Sequence, residues 1–201
     1  MEWILPGTVL AVDPAENKKM EDRFSAMFLG GGIALSQVSN ITGLEAHTIQ
    51  NWVKRGFLTP PQKKRYTQRQ LCRIMIINML RAALPLEQIC GLLQYINGHL
   101  NDESDDLIDD TQLYFLFIKL AAYHRQMHDT QGREQYLSQV MEEYEEPIPG
   151  AKERVEKVLR IMVTAWVASS LRQVAENMVA QLKTEENALR NYEKEKCGYG
   201  K

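Results

Sequence analysis

The sequence has few cysteines, no long apolar run and no basic leader segment. Its three cysteines, Cys72, Cys90 and Cys197, are far apart and form no Cys-x-x-Cys pair, which argues against a disulfide framework or a zinc knuckle. The longest apolar stretch, residues 161–171, is too short and too polar to cross a bilayer. The first residues lack a basic region followed by an apolar run, so we expect a cytoplasmic protein with no membrane partner.

Catalytic and cofactor motifs are missing as well. The three glycines at 30–32 are not followed by Gly-Lys-Ser/Thr, and the chain has no dinucleotide-binding loop. No Ser-His-Asp or Cys-His ordering stands out. His124 and His128 are spaced as two ligands on one helix face would be, but nothing completes a metal site around them. We therefore expect no enzyme activity, no metal and no cofactor.

The composition is that of a globular protein, and its charge is unevenly distributed. The chain has 201 residues, of which 44% are hydrophobic and 25% charged, with a net charge of −2. This length allows one large domain or two small ones, and we predict two. Residues 34–101 carry 8 basic and 2 acidic side chains, whereas residues 102–201 carry 13 basic and 19 acidic ones. A basic segment within a nearly neutral chain indicates a polyanion partner, although a solvated lysine-rich surface has the same composition.

Two short helices are predicted near the start of the basic segment. Ser36 is suited to cap the first, and Gly43 to end it after about two turns. The second, residues 46–55, has apolar residues three and four apart and is closed by Gly56. Its opposite face is polar throughout and consists of His47, Gln50, Asn51 and Lys54. A helix pair of this kind is typical of a helix-turn-helix, which places its second helix in the DNA major groove.

A proline-stiffened basic turn and two further helices follow. Pro60 and Pro61 prevent a helix and lead into Lys63, Lys64 and Arg65. Thr67, with Gln at position 70, forms a predicted capping box for a third helix. A fourth helix begins near residue 85, and the four helices make one compact unit. Residues 101–110 are rich in acidic side chains, which predicts a solvated linker.

The remainder of the chain has helical periodicity throughout. Helices are predicted over 111–128, 133–145 and 151 to about 196, the last after the break at Pro147 and Pro149. The last segment contains no glycine or proline before its end. It either bends near residues 168–170 or packs against another copy of itself. Its aromatic residues, with those of 111–128, either form a helical core or line an effector pocket.

Residues 41–49, with Trp52, the Arg-Gly-Phe-Leu of 55–58, Pro60 and Tyr66, resemble the MerR family of bacterial transcription regulators. Residues 86–93, Leu-Glu-Gln-Ile-Cys-Gly-Leu-Leu, are similar to the helix that closes the DNA-binding domain of that family. The whole chain looks closest to an uncharacterised bacterial family of MerR-like proteins. The resemblance implies a winged helix-turn-helix fold and duplex DNA as the partner.

Three features depart from the MerR pattern. The recognition helix has Gln50 and Asn51 where the family usually has an arginine and a tyrosine, which weakens its grip on phosphate. Either amide could instead contact adenine through two hydrogen bonds. Glu45 stands at the usual capping serine, which still suits the helix dipole. The wing is short, and a long β-hairpin is therefore not expected.

The sequence thus predicts an all-α protein with a short-winged, MerR-like helix-turn-helix. The boundaries are an N-terminal extension at 1–33, a DNA-binding domain at 34–100, an acidic linker at 101–110 and a helical dimerisation or effector domain at 111–201. The predicted function is a sequence-specific transcription regulator that binds duplex DNA as a homodimer and responds to a small-molecule or protein effector. The alternative is a protein-interaction adaptor that keeps the fold without binding DNA. The predicted DNA contacts are His47, Thr48, Gln50, Asn51, Lys54, Arg55, Lys63, Lys64, Arg65 and Tyr66.

Overall fold

The computed structural model describes the backbone of residues 3–12, 17–127 and 130–198, and side chains within these ranges except 17–19, 130–131 and 187–198. The described chain is mostly helical, as predicted, with four two-residue strands added. None of its helices combines the length and the apolarity that a membrane crossing requires. In chain order the elements are β1 Trp3–Ile4, β2 Ala11–Val12, α1 Asn17–Ala26, β3 Ile33–Ala34, α2 Leu35–Thr42, α3 Ala46–Lys54, β4 Arg65–Tyr66, α4 Gln68–Leu80, α5 Leu86–Asn97, α6 Asp110–Met127, α7 Thr130–Val140 and α8 Ala151–Gly198.

The N-terminal segment is part of the core. β1 pairs antiparallel with β2, and the turn between them packs on α4 so closely that a Cβ at Gly7 would lie 2.2 Å from the Met75 carbonyl oxygen. The Asn78 amide donates to the Gly7 and Thr42 carbonyl oxygens, each at 3.0 Å. The buried Tyr114 hydroxyl donates to the Pro6 carbonyl oxygen at 2.8 Å. Residues 3–12 therefore fasten α2, α4 and α6 together.

The helix pair forms as predicted, with one change at its start. α2 ends at Gly43, whose φ of 69° is the left-handed conformation that glycine adopts without strain. Its N-cap is Ala34 rather than Ser36, because the Gln37 side chain accepts the Ala34 backbone N–H at 2.9 Å. α3 then begins at Ala46, with only two residues between it and Gly43.

α4 lies at the centre of the fold. Its predicted capping box is confirmed: Thr67 Oγ1 accepts from the Gln70 backbone N–H, and the Gln70 side chain accepts from the Thr67 N–H. Nearly every side chain of α4 is buried, because it packs against α2, α5, α6 and α8 together. A helix that is buried on all sides has no solvent-facing side, so even the charged residue Arg73 is buried.

The prediction of a solvated linker at 101–110 is wrong for its second half. Leu107 and Ile108 are buried, and Asp110 is 1% exposed. Asp110 pairs with the buried Arg73 at 3.2 Å and accepts from Asn97 at 3.4 Å. The segment is thus a packed strap across α4 and α5, drawn in by its two apolar residues and by the arginines of α4.

One hydrophobic cluster spans both predicted domains. It contains residues from β1 through the first half of α8, including Ile49, Ile74, Phe117 and Val158. The described residues therefore form one packed unit up to about residue 167. α8 continues as one helix to Gly198, without an interruption at 168–170, and its described side chains from 171 to 186 are all exposed.

Candidate nucleic-acid interface

The exposed face of α3 carries the predicted polar residues. Ile49 and Trp52 turn into the core, with 0% and 5% of their surfaces exposed. This orientation leaves His47, Gln50, Asn51 and Lys54 on the solvent side, and all four are exposed. Thr48, at the edge of this face, is half-buried. α3 thus presents two amides, an imidazole and an ammonium group along one surface.

The basic turn lies beside this face and has an unusual backbone. Gln62 and Arg65 form a bridge in which the Arg65 N–H donates to the Gln62 carbonyl oxygen at 2.8 Å. The two residues between them, Lys63 and Lys64, have φ values of 47° and 63°. Positive φ at both central residues defines a type I′ turn, which normally prefers asparagine and glycine. Lysine at these two positions therefore costs stability relative to the residues that the turn prefers.

The turn is held from behind by one glutamine of α4. The Gln70 Nε2 donates to the Thr59 hydroxyl, the Thr59 carbonyl and the Pro60 carbonyl at 2.9–3.1 Å. β4, which follows the turn, pairs antiparallel with β3. Both ends of the basic turn are fixed, so its tip projects from a rigid base.

Arg55 follows α3 directly and is held by two neighbours. One guanidinium nitrogen donates to Glu87 Oε1 of α5 at 2.7 Å. The guanidinium carbon lies 4.5 Å from the centroid of the Phe57 ring, which is a cation–π arrangement. Arg55 still keeps 53% of its side chain exposed.

A shallow groove of about 540 Å³ runs between α3 and the basic turn. Gln50 and Val53 line it on one side and Pro61 and Lys64 on the other, and Leu35 contributes to its floor. The polar face of α3 is therefore bounded by the basic turn on one flank and by Arg55 with Glu87 on the other.

One of the predicted DNA contacts, Tyr66, is wrong, and a second, Arg65, also makes a contact within the protein. Tyr66 is 2% exposed, and burial raises the pKa of its phenol; its alternation along β4 turns it into the core, so it is not a surface contact. Arg65 is exposed, but its guanidinium donates to the Gly32 carbonyl oxygen at 2.9 Å. Its side chain thereby ties β4 to the chain before β3.

The remaining cations of the face are free of described acidic partners. Lys54, Lys63 and Lys64 form no ion pair with any acidic side chain that the structure describes. Arg69 and Arg73, by contrast, face the carboxylates of the strap. Arg69 lies 3.3 Å from Glu103 and pairs with Asp106. The net positive charge predicted for 34–101 is therefore concentrated near α3 and the turn.

Other candidate sites carry less chemistry. Over the described residues, no three His, Cys, Asp or Glu side chains are grouped as metal ligands would be. His128 lies outside the described residues. Cys72 is fully buried, and burial raises the pKa of its thiol well above the ordinary value, so it behaves as a small apolar side chain. Tyr114 and Phe117 are core residues, which agrees with the predicted helical core rather than with the predicted effector pocket.

The supports of this surface could not be found from the sequence. Gln70 was assigned a capping role, and its simultaneous bond to the turn has no local signal because Thr59 lies eleven residues away. Arg73 Nε donates to the Phe57 carbonyl oxygen at 3.2 Å, beside the end of α3. A charged residue directly between the apolar Cys72 and Ile74 is the only trace of that role in the sequence.

Comparison with known proteins gives relatives without an assigned activity. Residues 28–117 match the family described as a domain of unknown function, DUF1836. The chain is 25% identical over 164 residues to "Uncharacterized protein YkrK" of Bacillus subtilis (strain 168), an alignment that covers 75% of this chain and 70% of the relative. No solved structure matches. By sequence, the chain is thus similar to a domain family whose function is unassigned, and the matched stretch contains α2 through α5 and every residue of the candidate interface.

Proposed function

We propose that the protein is a sequence-specific transcription regulator of the MerR-like type, which binds duplex DNA through α3 and the basic turn. The observation that carries the proposal is the surface formed by these two elements. Amides on a helix face supply hydrogen bonds suited to base edges, and the adjacent lysines supply charge suited to phosphate. The helix pair with a short β-turn beside it supports the proposal, because a winged helix-turn-helix combines elements of the same kind.

The direct experiment is selection of bound fragments from a pool of random duplex DNA by the purified full-length protein. Recovery of a shared sequence, bound more tightly than random DNA at the same salt concentration, supports the proposal. Binding no stronger than that of any basic protein, even at low salt, contradicts it.

The amides of α3 are expected to determine sequence choice. Replacing both Gln50 and Asn51 with alanine should weaken the binding free energy at the selected site. The loss should be about 1 to 3 kcal/mol for each base to which an amide formed two hydrogen bonds. Affinity for random DNA should change little, because neither amide is charged. Titration of labelled duplexes measures both. Gln94→Ala, which removes an exposed amide from α5, is the matched control, and an equal loss on both kinds of DNA would contradict this assignment.

The basic turn is expected to supply affinity without sequence preference. Lys63→Asn with Lys64→Gly removes both charges and installs the pair that a type I′ turn prefers, so the turn is preserved. The slope of log K against log salt concentration should become shallower by about 0.9 for each phosphate that is no longer neutralised. Affinity for all duplexes should fall by the same factor. Removing the exposed Lys119 and Lys183 instead should leave the slope unchanged, because neither belongs to α3 or the basic turn.

We also propose that the protein binds DNA as a homodimer, joined by the distal part of α8. This helix has 48 residues, about 72 Å at 1.5 Å per residue. Leu171, Val174, Met178 and Leu182 are 55–66% exposed and recur at intervals of three and four. Such a stripe is typical of a helix that pairs with another helix, and pairing two DNA-binding units doubles the site that is recognised.

The second candidate function is a protein-interaction adaptor, favoured by the apolar floor of the groove beside α3. Leu35, Val53 and Pro61 there offer a peptide side chain an apolar contact that DNA does not need. The selection experiment separates the two functions, because an adaptor recovers no shared duplex sequence.

A further inference from the structure

Arg55 lies on the flank of the polar face of α3. It follows Asn51 by four residues and Thr48 by seven, so the three side chains share one side of the helix. The ion pair with Glu87 uses one donor of a guanidinium that has five. The guanidinium also lies over the Phe57 ring, which helps to hold it in position. Arg55 is therefore oriented, exposed and able to donate to a further oxyanion.

Glu87 does not depend on Arg55 for a partner. It is the second residue of α5, where the free N–H groups of the first turn favour a negative charge. A hydrogen bond from its own backbone N–H and one from Arg55 lower the pKa of Glu87. Its carboxylate thus remains stabilised by the helix end when the arginine leaves.

We propose that the Glu87 carboxylate occupies the position beside the Arg55 guanidinium that a DNA phosphate takes in the complex. This inference rests on the proposed function. In the DNA-free protein the carboxylate holds the guanidinium beside the face of α3, and on binding Arg55 exchanges the carboxylate for the DNA backbone. Exposed ion pairs contribute little to stability, whereas arginine and phosphate form paired, charge-assisted hydrogen bonds. The exchange therefore favours the complex. Because Glu87 competes with phosphate for Arg55, it lowers the affinity for every DNA sequence by the same factor.

The test compares Glu87→Gln with the wild-type full-length protein, using the selected duplex and a random duplex. Glutamine keeps the size of the side chain and removes its charge. Since an exposed pair of this kind is weak, we expect about two- to fivefold tighter binding to both duplexes. The ratio of the two affinities should stay the same, because a phosphate contact carries no sequence information.

Repeating the Glu87→Gln substitution in an Arg55→Met variant tests whether the gain comes from the exchange at Arg55. Arg55→Met keeps an apolar stem over Phe57 and removes the group that is exchanged, so Glu87→Gln should give no gain there. The control is Glu153→Gln, which removes another exposed glutamate from a first helical turn, where it pairs with Lys157 at 2.6 Å. It should not alter DNA affinity. Thermal unfolding of each variant checks that the fold is retained.

Three results overturn the inference while leaving the proposed function in place. Weaker binding by Glu87→Gln would mean that the carboxylate positions Arg55 within the complex. An equal gain in the Arg55→Met background would mean simple repulsion of DNA by Glu87. No change in either background would mean that Arg55 stays paired. If the wild-type protein binds no duplex DNA at all, the proposed function fails, and this inference fails with it.

Discussion

Replacing Asp110 with alanine is expected to lower the free energy of unfolding by about 3 to 5 kcal/mol, because it leaves a buried arginine without its counter-charge. Arg73 is 6% exposed, and Asp110 is its described ion-pair partner. The same carboxylate accepts from Asn97. The substitution therefore weakens the junction of three elements, α4, α5 and α6, at once. Chemical denaturation followed by circular dichroism measures the change.

Asp109→Ala is the matched control for this prediction. Asp109 precedes Asp110 directly and approaches Arg69 at 3.6 Å, but 45% of its side chain is exposed. Exposed pairs contribute about 0 to 1 kcal/mol. Asp109 Oδ1 also accepts the Thr111 backbone N–H at 2.7 Å at the start of α6, and losing such a cap costs about 0.5 to 2 kcal/mol. The loss should therefore be smaller than that caused by Asp110→Ala. Equal destabilisation by the two substitutions would show that the buried pair with Arg73 contributes no more to the free energy of unfolding than an exposed pair does.

Met178→Asp is expected to convert the proposed dimer to a monomer and to reduce affinity for a paired DNA site by about a hundredfold or more, since each 1.4 kcal/mol lost is tenfold in affinity. An aspartate in an apolar helix seam must be desolvated without a partner, which costs several kcal/mol. Met178 is central in the exposed stripe of α8, and 61% of its surface is exposed, so the substitution should leave the core intact. Sedimentation velocity at micromolar concentration measures the assembly, and DNA titration measures the affinity.

The control for this substitution is Ala180→Asp. Position 180 is two residues along the same helix, nearly opposite to Met178 at 100° per residue, so it introduces the same charge outside the stripe. The dimer should persist there. A wild-type monomer would contradict the proposed dimer. A dimer that survives Met178→Asp would show that the apolar stripe of α8 is not its interface. These experiments require the full chain, since a chain ending at Asn101 would lack Asp110 and the packing of α6 and α8 on α4.

Local signals predicted the parts of this fold that depend on neighbouring residues. Gly43 ends α2 because its φ suits glycine, and Thr67 starts α4 through a bond to Gln70. The spacing of Ile49 and Trp52 correctly predicted which face of α3 is buried. For the interface, periodicity was sufficient to find the exposed amides, because a short helix resting on a core must turn its polar side outward.

Features that depend on distant residues were not predictable in this way. Tyr66 sits among basic residues, and only the pairing of β4 with β3 turns it inward. Leu107 and Ile108 lie among acidic residues that suggest solvent, yet a strap is formed because α4 offers Arg69 and Arg73 to those acids. The β1–β2 segment has too few residues to show a strand pattern. In each of these cases the segment finds its partner elsewhere in the chain.

The central position of α4 leaves the described chain without a hinge between the proposed DNA-binding surface and the helices behind it. On one side α4 holds the basic turn through Gln70 and the end of α3 through Arg73; on the other it packs against α6 and α8. A signal received by the C-terminal helices cannot reach α3 by rotating one rigid body against another. It must travel as small shifts of packed side chains along α4, and close-packed interiors transmit such shifts because they yield so little.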